Sequence, residues 1–179
     1  GKKMNTGLIK SLDKESAEEF KQRLDKLPAK KIVQELTEIF TNKTENEFTV
    51  LSYLIQSANN KGSQEKFRYS LEKLSQVKNF DLPEYLNSYV VGKDAMFKCA
   101  PLYLLAALHR SSSMMQDLYD FGINPNVKMT NGDNLTLTGD DVVQAMSTAS
   151  NQSLVEKHNE LKAKYLEANL SNSLRNKPS

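Results

Sequence analysis

The stretch Ala100–Val127, "APLYLLAALHRSSSMMQDLYDFGINPNV", decides how the chain is read. Pro101 opens a compact apolar run that ends at Leu108, and the serines Ser111, Ser112 and Ser113 interrupt it. An apolar rhythm resumes at Met114, Met115, Leu118 and Tyr119 and stops at Gly122. Proline suits a first helical turn, where its missing N–H costs nothing, and glycine suits the left-handed residue that ends a helix. The stretch predicts two short helices, Pro101 to Arg110 and Ser113 to Phe121, joined by a serine turn. Ala106 and Ala107 allow a neighbouring helix to approach closely.

The same pairing recurs outward from it. In "ESAEEFKQRLDKL", Ser16 stands three residues before Glu19, a capping-box spacing, and Phe20, Leu24 and Leu27 follow at i, i+4, i+7. Pro28 breaks that helix, and "AKKIVQELTEIF" predicts a second with Ile32, Val33, Leu36, Ile39 and Phe40 on one face. "TVLSYLIQSA" (Thr49 to Ala58) reads as a short apolar helix, and the helix after it carries Phe67, Leu71 and Leu74 as a stripe. "KNFDLPEYLNSYVVGKDAMFK" reads as a loop with one helical turn near Glu84 to Tyr89. "GINPNVKMTNGDNLTLTGDD" is rich in reversals. Thr138 is placed to cap the next helix, with Asp140 and Asp141 near its positive end. The last helix puts Leu154, His158, Leu161 and Tyr165 on one face, and "SNSLRNKPS" is expected to fray.

A short apolar helix followed by a more amphipathic one cannot bury its faces alone, and the natural solution is to stack on its neighbours. "APLYLLAA" resembles the Thr-Pro-Leu-His-x-Ala-Ala signature that opens an ankyrin repeat, and "GINPN" (Gly122 to Asn126) resembles the Gly-Ala-Asp-x-Asn that closes one. "NGD" (Asn131 to Asp133) is similar to the start of the next hairpin tip. "TVLSYLI" keeps Thr49 and Leu51 in register but has Val50 for the proline and bulky Leu54 and Ile55 for the alanines. The resemblance implies an all-α fold: a short ankyrin-like solenoid of stacked helix pairs with helical N- and C-terminal caps. Residues 1–45 form the N-terminal helical hairpin cap in this reading. Residues 46–170 form the repeats, with an insertion near 77–97, and residues 171–179 form a polar tail.

Composition bounds the partners. Charge is nearly balanced, 24 basic against 22 acidic residues, and only four of the basic residues are arginines, so nothing favours nucleic acid. The longest apolar run, Pro101 to Leu108, is far short of the ~20 residues a membrane span needs. A single cysteine, Cys99, excludes an internal disulfide and a cysteine zinc cage, and fits a reducing, intracellular compartment. The leading glycine ahead of Met4 is read as an artificial boundary, with a longer natural chain expected.

No catalytic constellation is expected. Cys99 is read as a small buried residue rather than a redox switch. It and His109 are separated by about 15 Å at helical rise, too far for a thiolate–imidazolium pair. His158, on the apolar stripe of the last helix, is read as a packing residue. The acidic pairs Glu18–Glu19 and Asp140–Asp141 fall in first helical turns, where the helix dipole explains them. No phosphate loop, Gly-x-Ser-x-Gly or His-Glu-x-x-His occurs, and no cofactor or metal is expected.

What the resemblance implies is recognition of a partner protein by a monomeric module, through hairpin tips and inner-helix ends on a concave surface. Carried over residue by residue, these positions are Lys98, Cys99, His109 and Arg110 in the well-matched repeat and Thr130, Asn131 and Asp133 at the next tip. Arginine is enriched at interface hot spots, which singles out Arg110. By analogy with ankyrin modules from AT-rich bacterial genomes, the chain would be the recognition segment of a larger effector delivered into a host cell. The alternative is a non-repeat helical domain with an enzymatic or small-ligand-binding role.

Overall fold

The computed structural model describes residues 2–3, 11–41, 46–58, 60–88, 91–92, 97–131, 133–148 and 152–175. After a helical turn at 11–14, the helices are α1 (Ala17–Asp25), α2 (Ala29–Thr37), α3 (Val50–Gln56), α4 (Ser63–Ser75), α5 (Leu82–Ser88), α6 (Leu102–Leu108), α7 (Ser112–Asp120), α8 (Gly139–Met146) and α9 (Gln152–Arg175). The strands are β1 (Lys2–Lys3), β2 (Phe40–Thr41), β3 (Glu47–Phe48), β4 (Val91–Gly92), β5 (Phe97–Ala100), β6 (Lys128–Asn131) and β7 (Thr136–Thr138). The fold is mostly helical, with two small sheets of order β1-β2-β3 and β4-β5-β6-β7.

The predicted caps form. Ser16 accepts from the Glu19 N–H at 3.0 Å while Glu19 accepts from the Ser16 N–H at 3.2 Å. Thr138 and Asp141 repeat this reciprocal arrangement at the start of α8. Ser111 caps α7 by accepting from the Met114 N–H. Thr49 and Ser52 close a fully buried version at the start of α3, which the sequence did not announce. Each such cap is worth about 1 kcal/mol.

Three helix pairs follow one another, α3/α4, α6/α7 and α8/α9. Their first helices pack side by side in the order α3, α6, α8, and their second helices form a parallel row, α4, α7, α9. A hairpin stands before each pair: β2–β3, β4–β5 and β6–β7. β3 lies next to β4 without joining its sheet among the described residues. α1 and α2 close the N-terminal end, α1 on α4 and α2 on α3 and α4.

One continuous core runs through the stack. Phe20, Leu24, Leu36, Phe67, Leu71 and Leu74 are completely buried at the N-terminal end, and Leu102, Tyr103, Leu104, Met114 and Met115 in the middle. Burying each such side chain contributes about 1.5–3 kcal/mol. Ion pairs stitch the surface. Arg23 reaches Glu15 at 2.6 Å and grips both Glu35 oxygens at 2.7 Å, tying α1 to α2. Arg68 of α4 joins Asp117 at 2.8 Å and Asp120 at 3.0 Å on α7, bridging two second helices.

Several expectations are corrected. α2 ends at Thr37 and does not include Ile39 and Phe40. The Thr37 hydroxyl donates to its own helix at the Val33 carbonyl, Glu38 turns extended at φ −64°, ψ 135°, and Phe40 pairs with Phe48 in a hairpin. The 77–97 segment holds a two-turn helix, α5, rather than one turn; Tyr89 is outside the described residues. α9 continues to Arg175 through most of the expected tail, since neither glycine nor proline interrupts it before Pro178. Residues 176–179 lie outside the described residues.

Candidate functional site

The predicted tip residues separate into two groups. At the hairpin end, β5 and β6 run antiparallel with Phe97 opposite Asn131 and Cys99 opposite Thr130. Two residue steps on β5 therefore face one on β6, and Lys98 is the extra residue of a β-bulge. Asp133 sits in the turn between β6 and β7 and is exposed. Lys98, Thr130, Asn131 and Asp133 thus gather on one sheet. The side chains of Lys98 and Asn131, and the expected burial of Cys99, lie outside the described residues.

His109 and Arg110 are elsewhere. α6 has seven residues, so they stand about 10 Å along its axis from the hairpin end. Both are exposed, and Arg110 Nε donates to the Met146 carbonyl at the end of α8, 3.4 Å away. Arg110 holds φ 55°, a left-handed conformation that glycine adopts without strain and a branched or long side chain does not favour.

Leu135 was missed. It is 60% exposed beside Asp133 at the β6–β7 turn. Alternation along "LTLT" puts both leucines on one face, so the sequence gives no sign of this exposure; Leu135 lies in the turn ahead of β7 and escapes that pattern. Leu137 is the one turned to the core.

The structure also assembles a polar chain from residues that were read singly. Tyr103 on α6 meets His158 Nδ1 of α9 at 2.7 Å, and His158 Nε2 meets Asp140 of α8 at 2.8 Å. Lys162 reaches the same Asp140 oxygen at 2.6 Å. Burial pushes the Tyr103 hydroxyl above the ordinary phenol range, so it is the donor and Nδ1 the acceptor. Burial likewise lowers the His158 pKa, against the pull of Asp140, and the ring is neutral with its proton on Nε2, donating to the carboxylate. The salt bridge from Lys162, with the His158 bond behind it, holds Asp140 below the usual carboxylate range. Helix dipole alone, the expected explanation of Asp140, omits both partners. His158 is the packing residue expected, with both ring nitrogens satisfied.

No metal-ligand cluster of three or more His, Cys, Asp or Glu residues occurs among the described residues, and no helix there is long and apolar enough to cross a membrane. No protein-family model matches the chain, and neither a curated protein nor a solved structure does.

Proposed function

We propose that this chain is a protein-recognition module of ankyrin-like architecture, which takes a partner protein along its hairpin sheet and across to the far, C-terminal ends of its first-helix row. The observation that carries the reading is the order of parts: hairpin, first helix, second helix, repeated so that like elements lie beside like. Two local departures support it. A bulge sits at Lys98, and Arg110 occupies a position where glycine would be relaxed. Natural chains keep such departures chiefly where function uses them. Leu135 adds an exposed apolar anchor beside Asp133.

The partner is proposed to be a eukaryotic host protein, with the chain acting as the recognition part of a larger bacterial effector inside the host cell. The test is capture from a eukaryotic lysate by the native chain and by an Arg110→Glu, Asp133→Lys variant with an unchanged circular dichroism spectrum. A partner held by the first and lost by the second supports the reading. Equal capture by both moves the interface off this surface, and no capture removes the host-protein proposal.

An enzymatic reading could call on Tyr103, His158 and Asp140, a hydrogen-bonded chain that includes an imidazole. Tyr103 has no exposed surface and His158 keeps only 2%. A substrate atom cannot come within hydrogen-bond reach of either while α8 and α9 are docked, and the chain is better read as packing.

A further inference from the structure

We infer that the groove between the start of α2 and the segment leaving α4 is a second docking site, shaped for an acidic peptide carrying one apolar anchor residue. The groove has a volume of about 560 Å³ and is lined chiefly by Lys30, Val33 and Gln34 of α2 and by Val77, Lys78 and Phe80. Val33, Val77 and Phe80 pack on the core from one side and stay only partly covered on the other. They form an apolar floor that a leucine or aromatic side chain would cover.

The rim carries charge of one sign. No acidic residue lines the groove. Among the described residues Lys30 and Lys78 are exposed and have no carboxylate partner, a state they share with other surface lysines such as Lys26 and Lys61; what sets them apart is that they flank the same apolar floor. α2 is also oddly started for its charge. Pro28 offers it no side-chain cap, its first turn has no acid, and Lys30 and Lys31 stand there instead. Cations at the positive end of a helix are unfavourable, and α1 and α8 begin with acids and capping boxes. An acidic ligand over Lys30 and Lys78 removes that conflict, so the complementarity is in charge as well as shape. The other wall, Val77 to Phe80, belongs to the segment that lengthens the spacing between two helix pairs. That segment therefore has a use beyond connection.

A peptide suits this site better than a lipid surface, because a concave apolar floor between two separated cations accepts one side chain with flanking carboxylates. No residue of the groove belongs to the hairpin sheet or to the end of α6, so the two surfaces stand or fall separately.

A random peptide library is panned against the whole chain, and enriched peptides are synthesised and measured by fluorescence anisotropy. The inference expects sequences with Asp or Glu flanking a leucine or aromatic residue, and affinity weakened about tenfold or more by Lys30→Glu with Lys78→Glu. Both lysines are exposed, so that variant should keep its melting temperature. The Arg110→Glu, Asp133→Lys variant should bind as the native chain does. The inference is overturned by a failure to enrich any peptide, by enriched peptides without acids, or by equal binding to the charge-reversed variant. Binding to phosphatidylserine vesicles that the peptides do not compete away would overturn it in favour of a membrane surface.

Discussion

The Tyr103 hydroxyl and the His158 imidazole lie 55 positions apart in sequence and 2.7 Å apart in space, and neither side chain has room to turn away. Tyr103 sits in the middle first helix and His158 in the last second helix, so one hydrogen bond crosses the stack diagonally. Asp140 fixes the far side of the ring. The Tyr103 hydroxyl hydrogen has an acceptor only while the imidazole is neutral. A proton on Nδ1 would force the tyrosine to accept rather than donate, leaving its own buried hydrogen without a partner.

Stability should therefore fall on acidification. The His158 pKa is lowered in the folded chain from an ordinary 6.5, so the unfolded chain binds this proton first. The stabilisation is complete above about pH 6.5 and is lost as pH falls. Asp140, held low chiefly by Lys162, acts in the same direction at lower pH. Urea midpoints near pH 7.5 and near pH 5.5 should differ in the native chain and differ much less in His158→Gln, which does not titrate there. An equal drop in the variant would assign the proton to another group.

Gly139→Ala should destabilise, although alanine is the better helix former. A Cβ at this position would lie 2.7 Å from His158 Cε1 and 2.8 Å from the Pro125 carbonyl oxygen. The gain in helix propensity is at most about 1 kcal/mol, while overpacking against backbone and a doubly bonded ring costs about 1–3 kcal/mol. The melting temperature should drop by several degrees. A rise would mean that the ring swings aside freely.

Residues close in sequence were legible and those joined through space were not. Ser16 with Glu19, and Thr138 with Asp141, are three apart, so their caps can be read directly. Phe67, Leu71 and Leu74 mark their buried face by spacing alone. Ile39 and Phe40 misled, because they extend the apolar rhythm of α2 while the turn away from helix is made by Thr37 and Glu38. Gly139 falls within the reversal-rich stretch "GINPNVKMTNGDNLTLTGDD", and no neighbour in sequence marks it as crowded. Its real constraint, the His158 ring, comes from another helix. The tip residues Thr130, Asn131 and Asp133 were found by motif, but the bulge at Lys98 depends on the pairing of two strands about 30 residues apart and leaves no local trace.

Arg110→Gly should separate folding from recognition. At φ 55° a glycine is unstrained, and the hydrogen bond it would give up is long, at 3.4 Å. Relief of the left-handed arginine is expected to stabilise by about 0.5–1 kcal/mol, measured as a higher urea midpoint. The same variant should hold the proposed partner less tightly. A stabilised variant with undiminished capture would remove Arg110 from the interface.

Ending the chain after Tyr165 should leave stability within about 0.5 kcal/mol of the native value. Leu166, Leu170 and Leu174 are 61%, 56% and 72% exposed, so the outer part of α9 contributes little packing. Leu161→Ala, four residues earlier and fully buried, should cost about 2–5 kcal/mol by the same urea measurement. A large loss on truncation would mean that the exposed leucines are covered in solution.

Among the described residues β3 and β4 lie side by side in separate sheets, so the two boundaries of the stack are held by different forces. Across the boundary between α6/α7 and α8/α9, strands β5 and β6 are joined by backbone hydrogen bonds, which are short and directional. Across the boundary between α3/α4 and α6/α7, among the described residues, side chains do the holding, through apolar packing and the Arg68 pairs. Side-chain packing is less directional than backbone hydrogen bonding, so the two boundaries are restrained in different ways. A ligand reaching from β3 to β5 would span the side-chain-held boundary and tie the two hairpins together through its own contacts.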